Sequence, residues 1–377
     1  MLSLVPFWPT RPLSPLRPLK LKAELMALDY LALGHVTLDR QADGGYLPGG
    51  TVLFSAVQAA RLSLRAGIVT TGRPADLDTP LAPFRSEVTI DLHPAAATTI
   101  FVNVGVGAAR RQTLPEWAGP LDLAGTLPAA RIVHLGPVAR ELDPASLPAF
   151  TPGVFVGATP QGWLRRWDAA GHVTEGELLL PPALTARLDA LVLSETEARR
   201  AEGVIAAVRA AGGLVVITRD AEGCTLLDRA GESQVGTADY PFVDDTGAGD
   251  IFAAAFFVAL GEGQSPRDAA AFANAAAGLS LAGRGPAAIV DRAAIDDAVR
   301  RYTSDSNRAI PEQMSDNQAC TRGAANHRQR YGTLRVQPPF RAGCIGTLMG
   351  YYTGRGTIRI GRLPIGAWCA DDKGVAR

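Results

Sequence analysis

The chain has 377 residues, of which 47% are hydrophobic and 20% charged, and its formal net charge at pH 7 is zero. This composition excludes a wholly disordered protein and provides apolar side chains for one large α/β domain or two ordinary ones. No apolar run reaches the length that spans a bilayer, so we expect no membrane partner. The four cysteines have no C-x-x-C spacing, which predicts neither a disulfide framework nor a zinc site and favours a cytoplasmic location.

The two ends of the chain differ in composition from its middle. Residues 1–25 are rich in proline and basic residues, which predicts a disordered extension. Residues 303–377 lack amphipathic periodicity and carry eleven Lys or Arg against five Asp or Glu, which predicts an irregular basic extension. Because these arginines are scattered and lack an aromatic platform, we expect no nucleic-acid partner. A single domain is predicted over residues 26–302.

Alternating strands and helices are predicted along this domain. Strands separated by helices imply parallel pairing with right-handed crossovers, hence a three-layer α/β/α sandwich with a mostly parallel central sheet and binding sites at the carboxyl ends of its strands. Residues 87–92 and 98–104 alternate apolar and polar side chains, as strands of a small exposed sheet do. In chain order we predict a strand at 30–34, a helix at 51–65, a strand at 67–71, the two exposed strands, strands at 131–135, 154–157 and 190–194, a helix at 195–211, a strand at 214–218, and helices at 248–260, 266–281 and 292–302.

The string DTGAGD at residues 245–250 is the most informative motif. Its two glycines and alanine let the backbone approach a ligand, and a helix that begins there directs free N–H groups towards an anion. Asp250 lies in the first turn of that helix, which is where a base for phosphoryl transfer to a hydroxyl is required. The structural alternative is that Asp250 merely caps a helix and the glycines form a tight turn.

This string resembles the signature of the PfkB, or ribokinase-like, family of carbohydrate and nucleoside kinases. The resemblance implies a ribokinase-like fold with a small β lid, which we expect from residues 40–48 and 84–104. It implies that Asp250 is the catalytic base and that the backbone amides of Gly247, Ala248 and Gly249 form an anion hole. It further implies ATP as donor, Mg2+ as cofactor and a small sugar or polyol as acceptor, with a nucleoside as the alternative.

Acceptor binding is implied for residues near the amino terminus of the domain. The G-x-x-x-x-D spacing that ends at Asp39 resembles the family motif whose Asp holds substrate hydroxyls, although an exposed turn aspartate would fit the pattern as well. Gly49 and Gly50 resemble the family's Gly-Gly motif, which allows close approach of substrate. Phe54 stands where many members have Asn, so a substrate contact made by that Asn is lost or replaced.

Donor and metal binding are implied for residues that follow two of the predicted strands. Ser194 and Glu197 resemble the N-x-x-E motif, with Ser194 in place of Asn and Glu197 orienting magnesium through water. The same residues satisfy an ordinary helix capping box, so both interpretations stay open. Thr218 and Gly223 match the T-x-G-x-x-G turn that runs along the nucleotide, whereas Asp220 replaces its first glycine.

Three weaker resemblances complete the predicted site. Asn274 matches the helix that closes over the adenine, although an Asn tolerated on a helix explains it nearly as well. Asp244 and Thr246 occupy positions where the family can bind a monovalent cation, and dependence on K+ is left open. The stretch PQGWLRRW at residues 160–167 is similar to inositol-kinase-like members, which favours a polyol or sugar; core tryptophans with surface arginines are the alternative.

Two other function classes are alternatives to a kinase. A nucleotide-binding dehydrogenase is suggested by Gly105 and Gly107, but the third glycine of the dinucleotide motif is missing and prolines interrupt the expected helix. A catalytically silent ligand-binding protein is suggested by the departures at Phe54, Ser194 and Asp220, whereas the intact Asp250 argues against it. Association into a homodimer through the lid sheet is left open.

Overall fold

The computed structural model describes residues 28–105, 111–125 and 127–308. The predictions for residues 1–25 lie outside the described residues, as do most of residues 303–377 and Gly107. The strands are β1 (Leu28–Leu33), β2 (Thr37–Arg40), β3 (Tyr46–Gly49), β4 (Ala66–Gly72), β5 (Val88–Pro94), β6 (Ile100–Val104), β7 (Arg111–Glu116), β8 (Ala130–Leu135), β9 (Phe155–Ala158), β10 (Arg165–Trp167), β11 (Val173–Glu175), β12 (Ala190–Ser194), β13 (Leu214–Thr218), β14 (Cys224–Leu227) and β15 (Glu232–Val235). The helices are α1 (Thr51–Arg61), α2 (Pro74–Leu81), α3 (Gln161–Leu164), α4 (Pro182–Thr185), α5 (Glu195–Ala198), α6 (Glu202–Ala211), α7 (Ala248–Gly261), α8 (Pro266–Ser280) and α9 (Arg292–Arg308).

The main sheet of the described residues has nine strands in the order β15-β14-β13-β12-β9-β8-β1-β4-β5. Neighbours from β13 to β5 pair in parallel, whereas β14 and β15 pair antiparallel at one edge. The prediction of a mostly parallel sheet is therefore confirmed. Because the carboxyl ends of the parallel strands meet at one edge of the sheet, the loops after β1, β12 and β13 converge there.

Two hydrophobic cores lie on the two faces of this sheet, as β1 illustrates. Tyr30 and Ala32 point into the core formed with α1, α7 and α8, whereas Leu31 and Leu33 point into the core on the other face. A strand sends alternate side chains to opposite faces, so a continuous apolar strand fills both layers. Helix α7 is buried along nearly its whole length and contacts both α1 and α8. The layers are those of an α/β/α sandwich.

The small sheet differs from its prediction at β5, which it lacks, and at β7, which lies beyond the predicted lid segments. In the described residues it has four strands in the order β3-β2-β6-β7, so residues 40–48 and the end of the predicted lid segment 84–104 do contribute. Strand β5, in contrast, pairs in parallel with β4 at the edge of the main sheet. Its alternating pattern arises because Val88 is buried in the core while the opposite face of this edge strand is exposed. Alternation identifies a half-exposed strand and not the sheet to which it belongs.

Two predicted helices end or break earlier than expected. The helix predicted at 51–65 ends at Arg61, because Ser63 adopts a left-handed backbone with φ of 70° and turns the chain towards β4. The helix predicted at 195–211 is divided into α5 and α6, and the carbonyl of Arg200 between them accepts a hydrogen bond from the Leu178 N–H. No helix among the described residues is long and apolar enough to cross a membrane.

Candidate functional site

The amino terminus of α7 presents backbone N–H groups to solvent. Gly247 is its N-cap residue and has φ of 83°, a left-handed conformation that favours glycine. Among the described residues, no acceptor pairs with the N–H groups of Gly247, Gly249 or Asp250, whereas the Ala248 N–H donates to the Asp245 carbonyl. The predicted anion hole therefore has free donors at Gly247 and Gly249, and the Ala248 amide is already engaged.

Asp250 is held by a hydrogen bond from a distant part of the chain. The hydroxyl of Thr51, the first residue of α1, donates to Asp250 Oδ1 over 2.8 Å. Burial raises the pKa of Asp250 to about 6, and the Thr51 hydroxyl and the Arg165 guanidinium act to lower it. A carboxyl group with this pKa is ionised near neutral pH and can still accept a proton from an alcohol during transfer. Thr51 was not identified from the sequence.

Phe54 supports the glycine turn from below. A side chain at Gly247 would overlap the Phe54 ring, so the ring packs directly against the backbone of the N-cap residue. Phe54 is 2% exposed and belongs to the core beneath α1 and α7. Phe54, which stands in place of the Asn of the family motif, therefore packs against the turn. In the part of the chain that the structure describes, the N–H groups of Gly247 and Gly249 remain without an acceptor.

The predicted acceptor-binding residues lie together on the small sheet. Asp39 is a partly buried residue of β2 and not a turn residue, and a side chain at Gly49 would come within 3.0 Å of its Oδ2. Gly50 has φ of 91°, and a Cβ there would overlap the carbonyl oxygen of His35. Gly50 is thus required by its backbone conformation and by close approach, whereas at Gly49 the close atoms belong to side chains. Because Gly50 immediately precedes Thr51, this pair connects the Asp39 region with the Thr51–Asp250 hydrogen bond.

Glu197 and Ser194 form the capping box that the sequence allows. Glu197 Oε2 accepts hydrogen bonds from the Ser194 backbone N–H over 2.7 Å and from the Ser194 hydroxyl over 2.9 Å. Burial raises the pKa of Glu197, and the two bonds from Ser194 act to lower it. Both bonds go to Oε2 and neither goes to Oε1. The negative charge of Glu197 also acts to raise the pKa of Asp250.

The turn after β13 keeps the backbone shape that two glycines would give. Asp220 has φ of 46° and Gly223 has φ of 86°. Aspartate tolerates the left-handed region better than most residues, which explains how Asp220 replaces the first glycine of the motif. A side chain at Gly223 would overlap the Val235 carbonyl. Thr218 ends β13, and its hydroxyl donates to the Leu193 carbonyl over 3.3 Å.

Asn274 and the helix around it are already occupied by contacts within the protein. The Asn274 amide donates to the carbonyls of Val235 over 3.2 Å and Gly236 over 3.1 Å, which connects α8 to the end of β15. On the same helix, the ring of Tyr240 packs where Gly278 lacks a side chain. Tyr240, Asn274 and Tyr302 line one small cavity. The predicted adenine-side helix is therefore lined by two tyrosine rings.

The predicted monovalent-cation residues bind each other. Asp244 Oδ1 accepts hydrogen bonds from the Thr246 N–H over 3.1 Å and from its hydroxyl over 2.8 Å. These bonds shape the turn that leads into Gly247. Within the described ranges, no cluster of three or more His, Cys, Asp or Glu side chains is arranged to hold a metal ion directly. A single carboxylate that acts through water is compatible with this finding.

Glu141 is a further residue that sequence reasoning missed. It is 1% exposed, and its carboxylate accepts hydrogen bonds from the backbone N–H groups of His35, Val138 and Ala139 over 2.7 to 2.9 Å. These bonds fix the loop after β1 to the loop after β8 at the edge where the site lies. Nothing in its local sequence distinguishes Glu141 from a surface glutamate.

Comparisons with known proteins agree with this architecture. The model of the pfkB family carbohydrate kinases matches residues 183–292. The Bifunctional protein HldE of Azorhizobium caulinodans is 41% identical over 108 residues, which are 28% of this chain and 22% of that protein. The chain thus aligns with about a fifth of this curated relative.

Two solved structures extend the similarity to the whole described domain. A pyrophosphate-dependent kinase in the ribokinase family, complexed with a pyrophosphate analog and myo-inositol, matches with a TM-score of 0.61 and 21% identity, over 71% of this chain and 99% of that one. The ribokinase of Arabidopsis thaliana, complexed with ribose and ATP, matches with a TM-score of 0.56 and 19% identity, over 73% and 99% of the two chains. The predicted ribokinase-like α/β/α fold is confirmed.

Proposed function

We propose that this chain is a carbohydrate kinase of the pfkB family and that it transfers the terminal phosphoryl group of ATP to a hydroxyl of a small sugar or polyol. The observation that supports this most strongly is the hydrogen bond between Thr51 and Asp250 at the free amino terminus of α7. It combines a positioned carboxylate with unpaired backbone donors, which are the two groups that phosphoryl transfer to an alcohol requires.

Asp250 is the base in this proposal. Its carboxylate accepts the proton of the acceptor hydroxyl while that oxygen forms a bond to the γ-phosphorus and the bond to the leaving oxygen of ADP breaks. Because the pKa of Asp250 is about 6, the carboxylate is largely ionised at neutral pH. The free N–H groups of Gly247 and Gly249 donate to the phosphoryl oxygens, on which negative charge is held during transfer.

Asp39 orients the acceptor. Its carboxylate lies close to Gly49, where a side chain would come within 3.0 Å of Oδ2. A carboxylate can accept hydrogen bonds from two adjacent hydroxyls, which suits a polyol or a sugar. A ribonucleoside also carries adjacent hydroxyls and is the alternative acceptor.

Glu197 is the residue that would hold magnesium, through a water molecule. The fit rests on its nearly buried carboxylate, which uses Oε2 for Ser194 and keeps Oε1 available. When bound, magnesium neutralises the charge of the donor phosphates. Ser194, Thr218 and Gly223 would line the donor, since they follow β12 and β13 at the same edge of the sheet.

Inorganic pyrophosphate is a second candidate donor. One observation favours it: the Tyr240 ring packs directly against Gly278 on α8, beside Asn274, where the family resemblance would seat the adenine. Pyrophosphate has no adenine and therefore needs no space beside this helix. The similar pyrophosphate-dependent kinase has the same fold and supports the comparison of the two donors.

The test is a matrix of donors and acceptors. Purified protein is supplied with Mg2+ and either ATP or pyrophosphate, against a panel of inositols, hexoses, pentoses and nucleosides, and the phosphorylated product is detected directly. The proposal predicts that one acceptor class is phosphorylated and that product formation is lost in Asp250→Asn. Ligand binding without product for every donor and acceptor would instead favour a silent binding protein.

A further inference from the structure

The guanidinium of Arg165 is held beside the small sheet. Arg165 begins β10, and its Nη1 donates a hydrogen bond of 2.8 Å to the carbonyl of Val138. Its Cζ lies 4.8 Å from the centroid of the Phe101 ring, within the range of a cation–π interaction. Phe101 in β6 is the register partner of Asp39 in β2. The cation is therefore close to the strand that carries the proposed acceptor-binding carboxylate.

The segment that binds Arg165 also contacts the residue that binds Asp250. A side chain at Gly136 would come 2.5 Å from Thr51 Cγ2, so the loop after β8 packs against Thr51. Val138, which accepts the hydrogen bond from Arg165, lies two residues further along this loop. Arg165 is thus connected to the Thr51–Asp250 pair through a single packed loop.

The charge of Arg165 is not neutralised by a direct ion pair. No carboxylate of the described residues lies within 4.0 Å of its guanidinium. Burial lowers the pKa of Arg165, and more distant carboxylates act against this effect: Glu197, Asp250, Glu175 and Glu141. Arg165 is half-buried, and a partly desolvated cation without a close partner is stabilised when a ligand supplies negative charge. Acceptor hydroxyls are neutral, whereas a phosphate donor brings several negative charges that a guanidinium can bind.

We propose that Arg165 is a catalytic residue that binds the phosphoryl group in transit from donor to acceptor. The proposal rests on the proposed kinase function. A guanidinium is a planar fork that donates two parallel hydrogen bonds to phosphate oxygens. Nη1 is engaged with Val138 and one face is stacked on Phe101, so the remaining N–H edge is held in a fixed orientation. Fixed donors stabilise the charge on the transferring group most effectively because they need no reorganisation.

The experiment compares Arg165→Met with Arg166→Met as a matched control. Arg166 is the adjacent arginine, and its Nη1 donates only to backbone carbonyls of its own segment, including Trp163 over 2.7 Å. Affinity for inorganic pyrophosphate with Mg2+ is measured by calorimetry without acceptor, and kcat and acceptor KM are measured with the preferred donor. For Arg165→Met we expect kcat to fall by about 10²-fold, pyrophosphate affinity to fall by about tenfold, and acceptor KM to change by less than about threefold. Arg166→Met should change none of the three by more than about threefold.

Two further variants separate binding of phosphate from a structural role. Arg165→Lys keeps the charge and should recover part of the pyrophosphate affinity, and Phe101→Leu removes the ring but keeps the guanidinium and should retain most of it. Unchanged pyrophosphate affinity in Arg165→Met, or a raised acceptor KM with unchanged kcat, overturns the proposal. If Arg165→Met does not fold, the test uses Arg165→Lys and Phe101→Leu instead. Equal losses of pyrophosphate affinity in these two variants overturn the proposal. Since pyrophosphate binding is measured without acceptor, a failure to find any acceptor counts against the kinase function and not against Arg165.

Discussion

Replacing Thr51 by valine should move the pH dependence of activity without removing the base. Valine keeps the shape of threonine and its methyl contact with Gly136, but it cannot donate a hydrogen bond to Asp250 Oδ1. Because the bond stabilises the ionised carboxylate, its loss raises the pKa of Asp250 above its present value of about 6. The pKa rises because a carboxylate that loses a hydrogen-bond donor is stabilised less in its charged form.

The size of the shift follows from the energy of the bond. A hydrogen bond to a charged group contributes about 1.5–3 kcal/mol, and one pKa unit corresponds to about 1.4 kcal/mol, so the acid limb should move from about pH 6 to about pH 7–8. With a shift of about 1.5 units, the variant has about eightfold less ionised Asp250 than the parent at pH 6.5 and nearly the same at pH 9.

The assay is kcat against pH from 5 to 9.5 for the parent, Thr51→Val and Thr51→Ser. Thr51→Ser retains the hydroxyl and should keep the parent's acid limb. The reasoning is refuted if Thr51→Val has the parent's limb, because the bond would then not control the pKa. It is refuted equally if Thr51→Val stays inactive up to pH 9.5, because Thr51 would then have another role in catalysis.

Three further predictions concern stability and metal use. Asp250→Asn should raise the free energy of unfolding at pH 7 by about 1–3 kcal/mol, since an Asp with a folded pKa of about 6 destabilises the fold once it ionises; the gain should vanish near pH 4 in denaturant titrations, and a gain that persists there would contradict the cause. Glu197→Gln should raise the Mg2+ concentration for half-maximal activity by about tenfold or more, while exposed Glu195→Gln should not; equal effects would count against Glu197. Gly50→Ala should lower the unfolding free energy by at least about 2 kcal/mol more than Gly44→Ala, because both have positive φ but only Gly50 would overlap a carbonyl; equal losses would show that backbone conformation alone matters.

The central strands could be predicted from sequence because they are buried on both faces. The strands predicted at 190–194 and 214–218 coincide with β12 and β13, since their continuous apolar runs are bounded by polar residues. Edge strand β5 could not be assigned to the correct sheet, because alternation reports one exposed face only. Helix ends were predicted least well. The end of α1 was missed because the left-handed residue that follows it is Ser63 and not a glycine.

The candidate site could be proposed from sequence where its residues belong to one local motif. Asp250 and the glycines before it are adjacent in sequence, and Ser194 and Glu197 share one capping box. Thr51 could not be identified, because its contact with Asp250 depends on tertiary packing across 199 residues of sequence. The contacts of Arg165 with Val138 and Phe101 are likewise tertiary. Arg165 occurs in a predicted surface pair of arginines, and its hydrogen bond to Val138 and its cation–π contact with Phe101 distinguish it from Arg166.

Single-turnover phosphoryl transfer by the parent and Asp250→Asn tests the central claim most directly. Enzyme in excess is mixed with the preferred donor, Mg2+ and the accepted acceptor, and formation of the phosphorylated product is followed in time while donor affinity is measured separately. The account predicts that Asp250→Asn binds the donor as well as the parent does but transfers the phosphoryl group at least about 10²-fold more slowly. A transfer rate within about tenfold of the parent's would contradict the role of Asp250 as base.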